Sequence, residues 1–124
     1  MLRVSEPVQP GLFTASGLIG GACGACTRRH FPSAVPCPWC GSDDVTTITL
    51  SSRGTLWGWT AVTAAPPGYD GPVPYGFGVV ELADDGLRVV TRLTAVDGLR
   101  DGMAMRFAVV ALTADLDTWA FAPA

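Results

Sequence analysis

Residues 23–40 read CGACTRRHFPSAVPCPWC and hold all four cysteines of the chain, as two Cys-x-x-Cys pairs separated by ten residues. A Cys-x-x-Cys turn directs both sulfurs to the same side of a tight loop, so two facing turns supply the four thiolates of a closed tetrahedral site. Glycines and prolines beside the cysteines provide the backbone conformations of such turns. The spacing therefore predicts a zinc ribbon with one structural zinc ion per chain, held by Cys23, Cys26, Cys37 and Cys40.

The same four cysteines have three other possible uses. Residues 37–40, CPWC, taken alone are similar to a glutaredoxin-type dithiol, but such a motif opens a helix after a strand, whereas residues 45–50 have strand character. Two structural disulfides would require an oxidising compartment, and we expect no signal peptide ahead of them. An iron centre of rubredoxin type uses the same ligands, so the choice of zinc over iron rests on abundance.

Composition narrows the class of protein. The chain has 124 residues, of which 48% are hydrophobic and 15% charged, and its formal net charge is -3. A net negative field disfavours nucleic acid, because sequence-independent affinity comes from cations that neutralise phosphates. Low charge with high apolar content is instead typical of a subunit that buries surface against another protein. No apolar stretch approaches the roughly 20 residues that span a bilayer, so we expect a soluble, cytoplasmic protein.

The order of turn signals and apolar runs predicts a mainly β chain with three parts. Residues 1–19 are expected to be an irregular segment with at most a short helical turn near residues 12–15, residues 20–45 the zinc ribbon, and residues 46–124 an OB-fold domain. Asp84-Asp85-Gly86 is a tight-turn signal between two strands. Five short strands without a helix favour a small closed barrel, which leaves no free sheet edge. The strand candidates are residues 54–64, 75–82, 87–93, 105–112 and 117–121.

Several motifs follow one another in an order that resembles a known family. They are CPWCGS at 37–42, GTLWGWT at 54–60, PPGY at 66–69, VEL at 80–82 and GM at 102–103. This order resembles the bacterial and archaeal proteins that join a rubredoxin-like zinc ribbon to an OB fold and are catalogued as domain of unknown function thirty-five. The resemblance covers about residues 18–122. The family usually begins with a longer helical segment, whereas here that segment is short and rich in Gly and Pro.

The resemblance implies a function. Members of the family are similar to accessory subunits of thiolase-superfamily enzymes, including acyl-CoA thiolases, the archaeal thiolase and hydroxymethylglutaryl-CoA synthase assembly, and aldolases of steroid side-chain breakdown. It therefore implies a non-catalytic subunit of a hetero-oligomer in acyl-CoA, lipid or steroid metabolism. Such a subunit would stabilise a thiolase-like partner and help to shape its acyl-CoA site. The alternative function is a nucleic-acid-binding zinc-ribbon and OB-fold module.

No catalytic residue is expected from the pattern. His30 is the only histidine, and its place beside two arginines indicates a solvated loop residue rather than a general base. Arg28 and Arg29 can grip a phosphate, including one of coenzyme A, by bidentate hydrogen bonds. Two adjacent arginines in an exposed loop are also typical of a simply solvated surface.

Aromatic residues are the other candidate contacts. Trp57 and Trp59 lie two apart on a predicted strand and hence on one face. They would form a stacking platform for bases or, as we favour, pack in the core or against a partner. Tyr69 and Tyr75 belong to a proline-rich loop at residues 66–75, which either contacts the partner or only closes the barrel.

Overall fold

The computed structural model describes residues 6–7, 11–67, 73–113 and 115–124, with the backbone alone for residues 6–7. Every regular element in these ranges is a strand, and none of the residues described belongs to a helix that could cross a membrane. The strands, in chain order, are β1 (Glu6–Pro7), β2 (Phe13–Thr14), β3 (Gly17–Cys23), β4 (Arg29–His30), β5 (Val45–Thr49), β6 (Arg53–Val62), β7 (Tyr75–Leu82), β8 (Arg88–Leu93), β9 (Ala104–Ala111) and β10 (Leu116–Pro123).

The four cysteines lie on a small antiparallel sheet, strands β2–β5 with their turns, which we call the four-cysteine ribbon. Strand β3 is central and pairs with β2, β4 and β5. The predicted helical turn near residues 12–15 is wrong, because β2 and β3 form a tight hairpin there. Phe13 pairs with Leu18 in that hairpin, and the Ser16 N–H donates to Thr14 Oγ1 at 3.1 Å.

Two glycines at the start of the predicted ribbon, Gly20 and Gly21, lie inside β3. A Cβ atom at Gly20 would stand 2.7 Å from the carbonyl oxygen of His30 and 2.8 Å from the Leu50 side chain. The ring of His30 likewise occupies the space where a side chain of Gly21 would lie. Glycine is needed here because neighbouring strands approach closely, which is the other use of this residue besides turns. The limits of the three predicted parts of the chain stay a prediction.

Strands β6–β10 form a closed five-stranded barrel, and this confirms the predicted OB-type fold. The order around the barrel is β8-β7-β6-β9-β10, and a parallel pairing of β10 with β8, at Phe121 and Leu93, closes it. The remaining pairings between these five strands are antiparallel. Strands β7 and β8 alternate buried residues with less buried ones, as expected where one face of a strand lines the core.

One hydrophobic core serves both parts of the fold. Inside the barrel, the rings of Phe107 and Phe121 meet edge to face with centroids 6.0 Å apart. Leu18 and Leu50, from the ribbon side, belong to the same buried cluster. Trp119 of β10 contacts two rings of the ribbon, Phe13 at 6.0 Å and Phe31 at 5.7 Å. Because the core is shared, the ribbon and the barrel stabilise each other.

A buried carboxylate adds a polar link at the same junction. The turn at Asp84-Asp85-Gly86 is present as predicted, with Asp84 and Gly86 at positive φ. The Leu82 N–H of β7 donates to the Leu87 carbonyl at 2.8 Å and closes this turn. Asp85 points inward, with only 1% of its side chain exposed. One oxygen pairs with the guanidinium of Arg29 in the ribbon, and the other accepts the Ser51 N–H at 2.7 Å.

Replacing Asp85 by Ala should lower the free energy of unfolding by about 2 kcal/mol or more, because the Ser51 N–H and the Arg29 guanidinium lose their buried acceptor. Chemical denaturation of the purified protein measures this. Glu81→Ala is the matched control, since its pair with Arg88 is 3.3 Å long and exposed on both sides. Removing an exposed pair should cost less than about 1 kcal/mol. Equal effects of the two variants would contradict the linking role of Asp85.

Candidate metal centre and contact surfaces

The four cysteine sulfurs converge on one point between the two turns of the ribbon. All four Sγ atoms lie within 4.8 Å of one another, and all four cysteines are free thiols. Two of the sulfur pairs join the two turns: Cys23 Sγ lies 3.6 Å from Cys40 Sγ, and Cys26 Sγ lies 3.8 Å from Cys37 Sγ. Four sulfurs that each stand about 2.3 Å from a central ion are about 3.8 Å apart, so the set can hold a metal ion in tetrahedral geometry.

The backbone builds the two turns in the same way. In the first, the Thr27 N–H donates to the Cys23 carbonyl at 3.0 Å; in the second, the Gly41 N–H donates to the Cys37 carbonyl at 2.8 Å. Thr27 and Gly41 each follow the second cysteine of a pair, and both have positive φ, 66° and 79°. The glycine made the second turn visible in the sequence. The threonine gave no such signal, because residues other than Gly seldom adopt this conformation.

The thiols of the site differ in acidity. The pKa of Cys23 is lowered to about 7, chiefly because the Cys26 N–H donates to its sulfur. The Ser42 N–H also lowers the pKa of Cys40, but the neighbouring Cys23 sulfur and burial outweigh it and raise this pKa to about 11. Cys23 therefore offers a thiolate near neutral pH, and a metal ion must displace the proton of Cys40. The close sulfur pairs connect different turns, which favours a metal site over an isolated CPWC dithiol.

His30 is not the solvated loop residue that the sequence predicted. It lies on β4, is 3% exposed, and packs its ring against Gly21 of β3. Its Nε2 atom is 3.0 Å from the Ala34 carbonyl oxygen and 3.1 Å from the Ala34 nitrogen. Its Nδ1 atom is buried and has no hydrogen-bond partner among the residues described. Strand pairing turns this side chain inward, out of reach of a substrate.

The two arginines have separate roles. Arg29 is the ribbon partner of Asp85, so it serves the junction between the two parts of the fold. Arg28 is exposed, and its guanidinium carbon lies 5.0 Å from the centroid of the Trp39 ring. Both arginines line a cleft of about 660 Å³ between ribbon and barrel. Sequence reasoning missed Trp39 and Asp85, because one lies within a metal-binding motif and the other within a turn motif.

The prediction that Trp57 and Trp59 share one face is wrong. The pairing of β6 with β7 shifts by one residue between Leu56 and Gly58, which makes Trp57 the extra residue of a β-bulge. Trp59 consequently pairs with Gly78, on the same side as the inward-facing Leu56. Trp57 lies on the outer face. Core packing is excluded as well, because Trp57 is 55% and Trp59 38% exposed.

The outer face of the barrel carries the remaining candidate residues. The Arg88 guanidinium lies 3.6 Å from the centroid of the Trp57 ring. Tyr75 opens β7 and is half-buried under the guanidinium of Arg92, 4.8 Å from its ring centroid. Beside it is a groove of about 290 Å³. Tyr69 lies outside the residues described. The groove is lined by Pro66, Pro67, Tyr75, Phe77, Arg92, Leu112 and Thr118.

The barrel sequence matches a known family. Residues 47–111 match the family model described as the C-terminal OB-fold domain of ChsH2. This match covers more than half of the chain and most of the closed barrel. The chain therefore belongs to the family of ChsH2 C-terminal OB-fold domains.

Similar proteins are scaffold proteins or subunits by name. A DUF35 domain-containing scaffold protein of Pyrococcus furiosus is 34% identical over 90 residues, 69% of this chain and 63% of that protein. The benzoylsuccinyl-CoA thiolase subunit BbsA of Thauera aromatica is 31% identical over 81 residues, 65% of this chain and 54% of that protein. The chain thus spans between about half and two thirds of the length of these curated relatives.

A solved structure has the same architecture. The Ltp2-ChsH2(DUF35) aldolase superimposes with a TM-score of 0.70 and 28% sequence identity. The superposition covers 86% of this chain and 84% of that chain. Such coverage extends beyond the 65 residues of the family match, so it includes part of the ribbon as well as the barrel.

The four-cysteine site should hold about one metal ion per chain, and Cys37→Ser should lose most of it, because a hydroxyl is a poor substitute for a thiolate in a tetrahedral site. Elemental analysis of both proteins measures the metal content. The variant should also unfold at a lower temperature, since the ribbon and the barrel share a core. A metal-free wild-type protein with no titratable thiols would contradict this prediction, because it would mean two disulfides.

Proposed function

We propose that this chain is a non-catalytic accessory subunit of a thiolase-superfamily enzyme, a thiolase or an acyl-CoA aldolase. The observation that carries this proposal is the similarity over 86% of the chain to a structure named as an Ltp2-ChsH2(DUF35) aldolase. The names of the curated relatives, a scaffold protein and a thiolase subunit, point to the same class of assembly. In such an assembly the partner would carry the catalytic groups.

The chemistry of the chain supports a non-catalytic role. The only histidine is buried, and the four thiols face one another across a closed site. A nucleophile needs a base within hydrogen-bond reach. The imidazole of His30 instead contacts Ala34, and the four sulfurs converge on one another. We further propose that the metal is zinc, because a structural site of four thiolates most commonly holds zinc, although iron of rubredoxin type uses the same ligands.

The surface supports a protein partner. Apolar side chains are strongly exposed on the barrel, with Val90 at 59% and Trp57 at 55%, and on the ribbon, with Val35 at 62% and Trp39 at 54%. Surfaces of this kind are typical of protein interfaces when charged residues surround them. Of the residues predicted to make contact, we retain Arg28 and Tyr75, because the Arg88 guanidinium already covers the Trp57 ring. Through them the chain would stabilise the partner and help to shape its acyl-CoA site.

Co-expression with a thiolase-superfamily protein from the same organism should yield one complex that elutes as a single species. The chain alone should self-associate or unfold at a lower temperature, because a partner that binds only the folded form stabilises it. Size-exclusion chromatography with light scattering and thermal unfolding measure both effects. Single-stranded DNA at low salt is the control. Salt-sensitive DNA binding without binding to the thiolase-fold protein would favour the nucleic-acid alternative.

A further inference from the structure

The cleft between the ribbon and the barrel has two unlike walls. The ribbon wall consists of Thr27, Arg28, Arg29 and Trp39, and the barrel wall consists of residues 84–87. The ion pair of Arg29 with the buried Asp85 joins these two walls. The cleft is therefore a feature of the assembled fold, since neither the ribbon nor the barrel alone would form it.

Trp39 is an exposed but restrained aromatic residue. Its ring is 54% exposed, yet its indole N–H donates to the Arg29 carbonyl at 2.9 Å. It lies between the metal ligands Cys37 and Cys40, in a turn that the Gly41 N–H closes. An exposed tryptophan with little freedom to lose is a typical anchor of a protein interface, because its burial costs little conformational entropy.

Arg28 supplies an unpaired positive charge next to this ring. Its guanidinium stacks on Trp39, and in the part of the chain that the structure describes it forms no ion pair and no side-chain hydrogen bond. The charge of the neighbouring Arg29 is neutralised by Asp85. One cation with free donors is thus left on the ribbon wall, and guanidinium groups bind carboxylates bidentately.

The charges of the cleft distinguish between two kinds of anion. Asp84 is exposed on the barrel wall, so the cleft contains one unpaired cation and one unpaired carboxylate. The several negative charges of a nucleotide would exceed the single available cation and would meet Asp84. A single carboxylate next to an apolar side chain would pair with Arg28 and pack on Trp39, and its one charge would be repelled by Asp84 less than the several charges of a nucleotide.

We propose that this cleft is the docking site for a segment of the catalytic partner that presents an Asp or Glu beside an apolar side chain. The metal ion in the four-cysteine site has an indirect part in this docking, because it holds the turn that carries Trp39. This inference rests on the proposed function and adds to it where the partner binds and what the bound segment contains.

The test compares matched variants in the purified complex with the thiolase-superfamily subunit. Arg28→Glu and Trp39→Ala should each raise the dissociation constant about 30-fold, as expected for the loss of an interface anchor. Arg100→Glu makes the same change of charge outside the cleft, and Trp57→Ala removes an equally exposed ring from the barrel. Both controls should stay within about threefold of wild type. Metal content and thermal unfolding of each isolated variant verify that it is folded.

Trp39→Phe is the control for damage to the metal site, since it keeps an aromatic ring between Cys37 and Cys40. It should bind more tightly than Trp39→Ala at equal metal content. Metal-depleted wild-type protein should bind the partner about tenfold or more weakly than the metal-loaded protein. Metal removal should also change the tryptophan fluorescence of the wild type more than that of Trp39→Phe, because the chain has four tryptophans and only Trp39 lies between the cysteines of the site. Unchanged affinity for the partner after metal removal would show that the metal ion does not contribute to docking.

The outcomes separate this inference from the proposed function. If the wild-type chain binds no thiolase-superfamily subunit, both are wrong. If it binds and the two cleft variants bind equally well, only the docking site is wrong, and a loss with Trp57→Ala would assign the interface to the barrel. ADP serves as the probe for a nucleotide. Saturable binding of ADP that Arg28→Glu abolishes would overturn the choice of a protein carboxylate.

Discussion

The convergence of four sulfurs is the constraint on which the rest of the structure depends. The ribbon strands are short, between two and seven residues, and such a sheet buries too little apolar surface to be stable alone. The cysteines fix the two turns at its end, and the shared core with Trp119 and the pair of Arg29 with Asp85 fix its other side. The contact residues of the ribbon are therefore placed by the metal site and by the barrel together.

The sequence predicted the features that depend on local spacing. The predicted metal ligands follow from the two Cys-x-x-Cys pairs, and the barrel strands follow from apolar runs separated by turn signals such as Asp84-Asp85-Gly86. Both are short-range patterns, in which the residues that matter are neighbours along the chain. The five predicted strands agree with β6–β10 to within two residues at nearly every end.

The features that sequence reasoning missed depend on distant parts of the chain. His30 was expected to be a solvated loop residue, but its buried ring and Gly21 explain each other, because the imidazole fills the space that the glycine leaves across the strand pair. Asp85 had a sufficient local explanation as a turn residue. Its role as a buried acceptor arises from Arg29 and Ser51, which precede it by 56 and 34 positions. Such reciprocal pairings leave no periodic signal in a single sequence.

The bulge at Trp57 reverses the order in which side chains of β6 face inward and outward. Before the bulge, the side chains that face outward alternate with one phase along β6; after it, they alternate with the opposite phase. One strand thus serves two surfaces with a single extra residue. A relative that lacked this residue would keep the motif recognisable, yet every side chain in the second half of the strand would exchange inside for outside. The two tryptophans therefore belong to different surfaces. A deletion of one residue here would change which side chains of β6 face outward from the barrel.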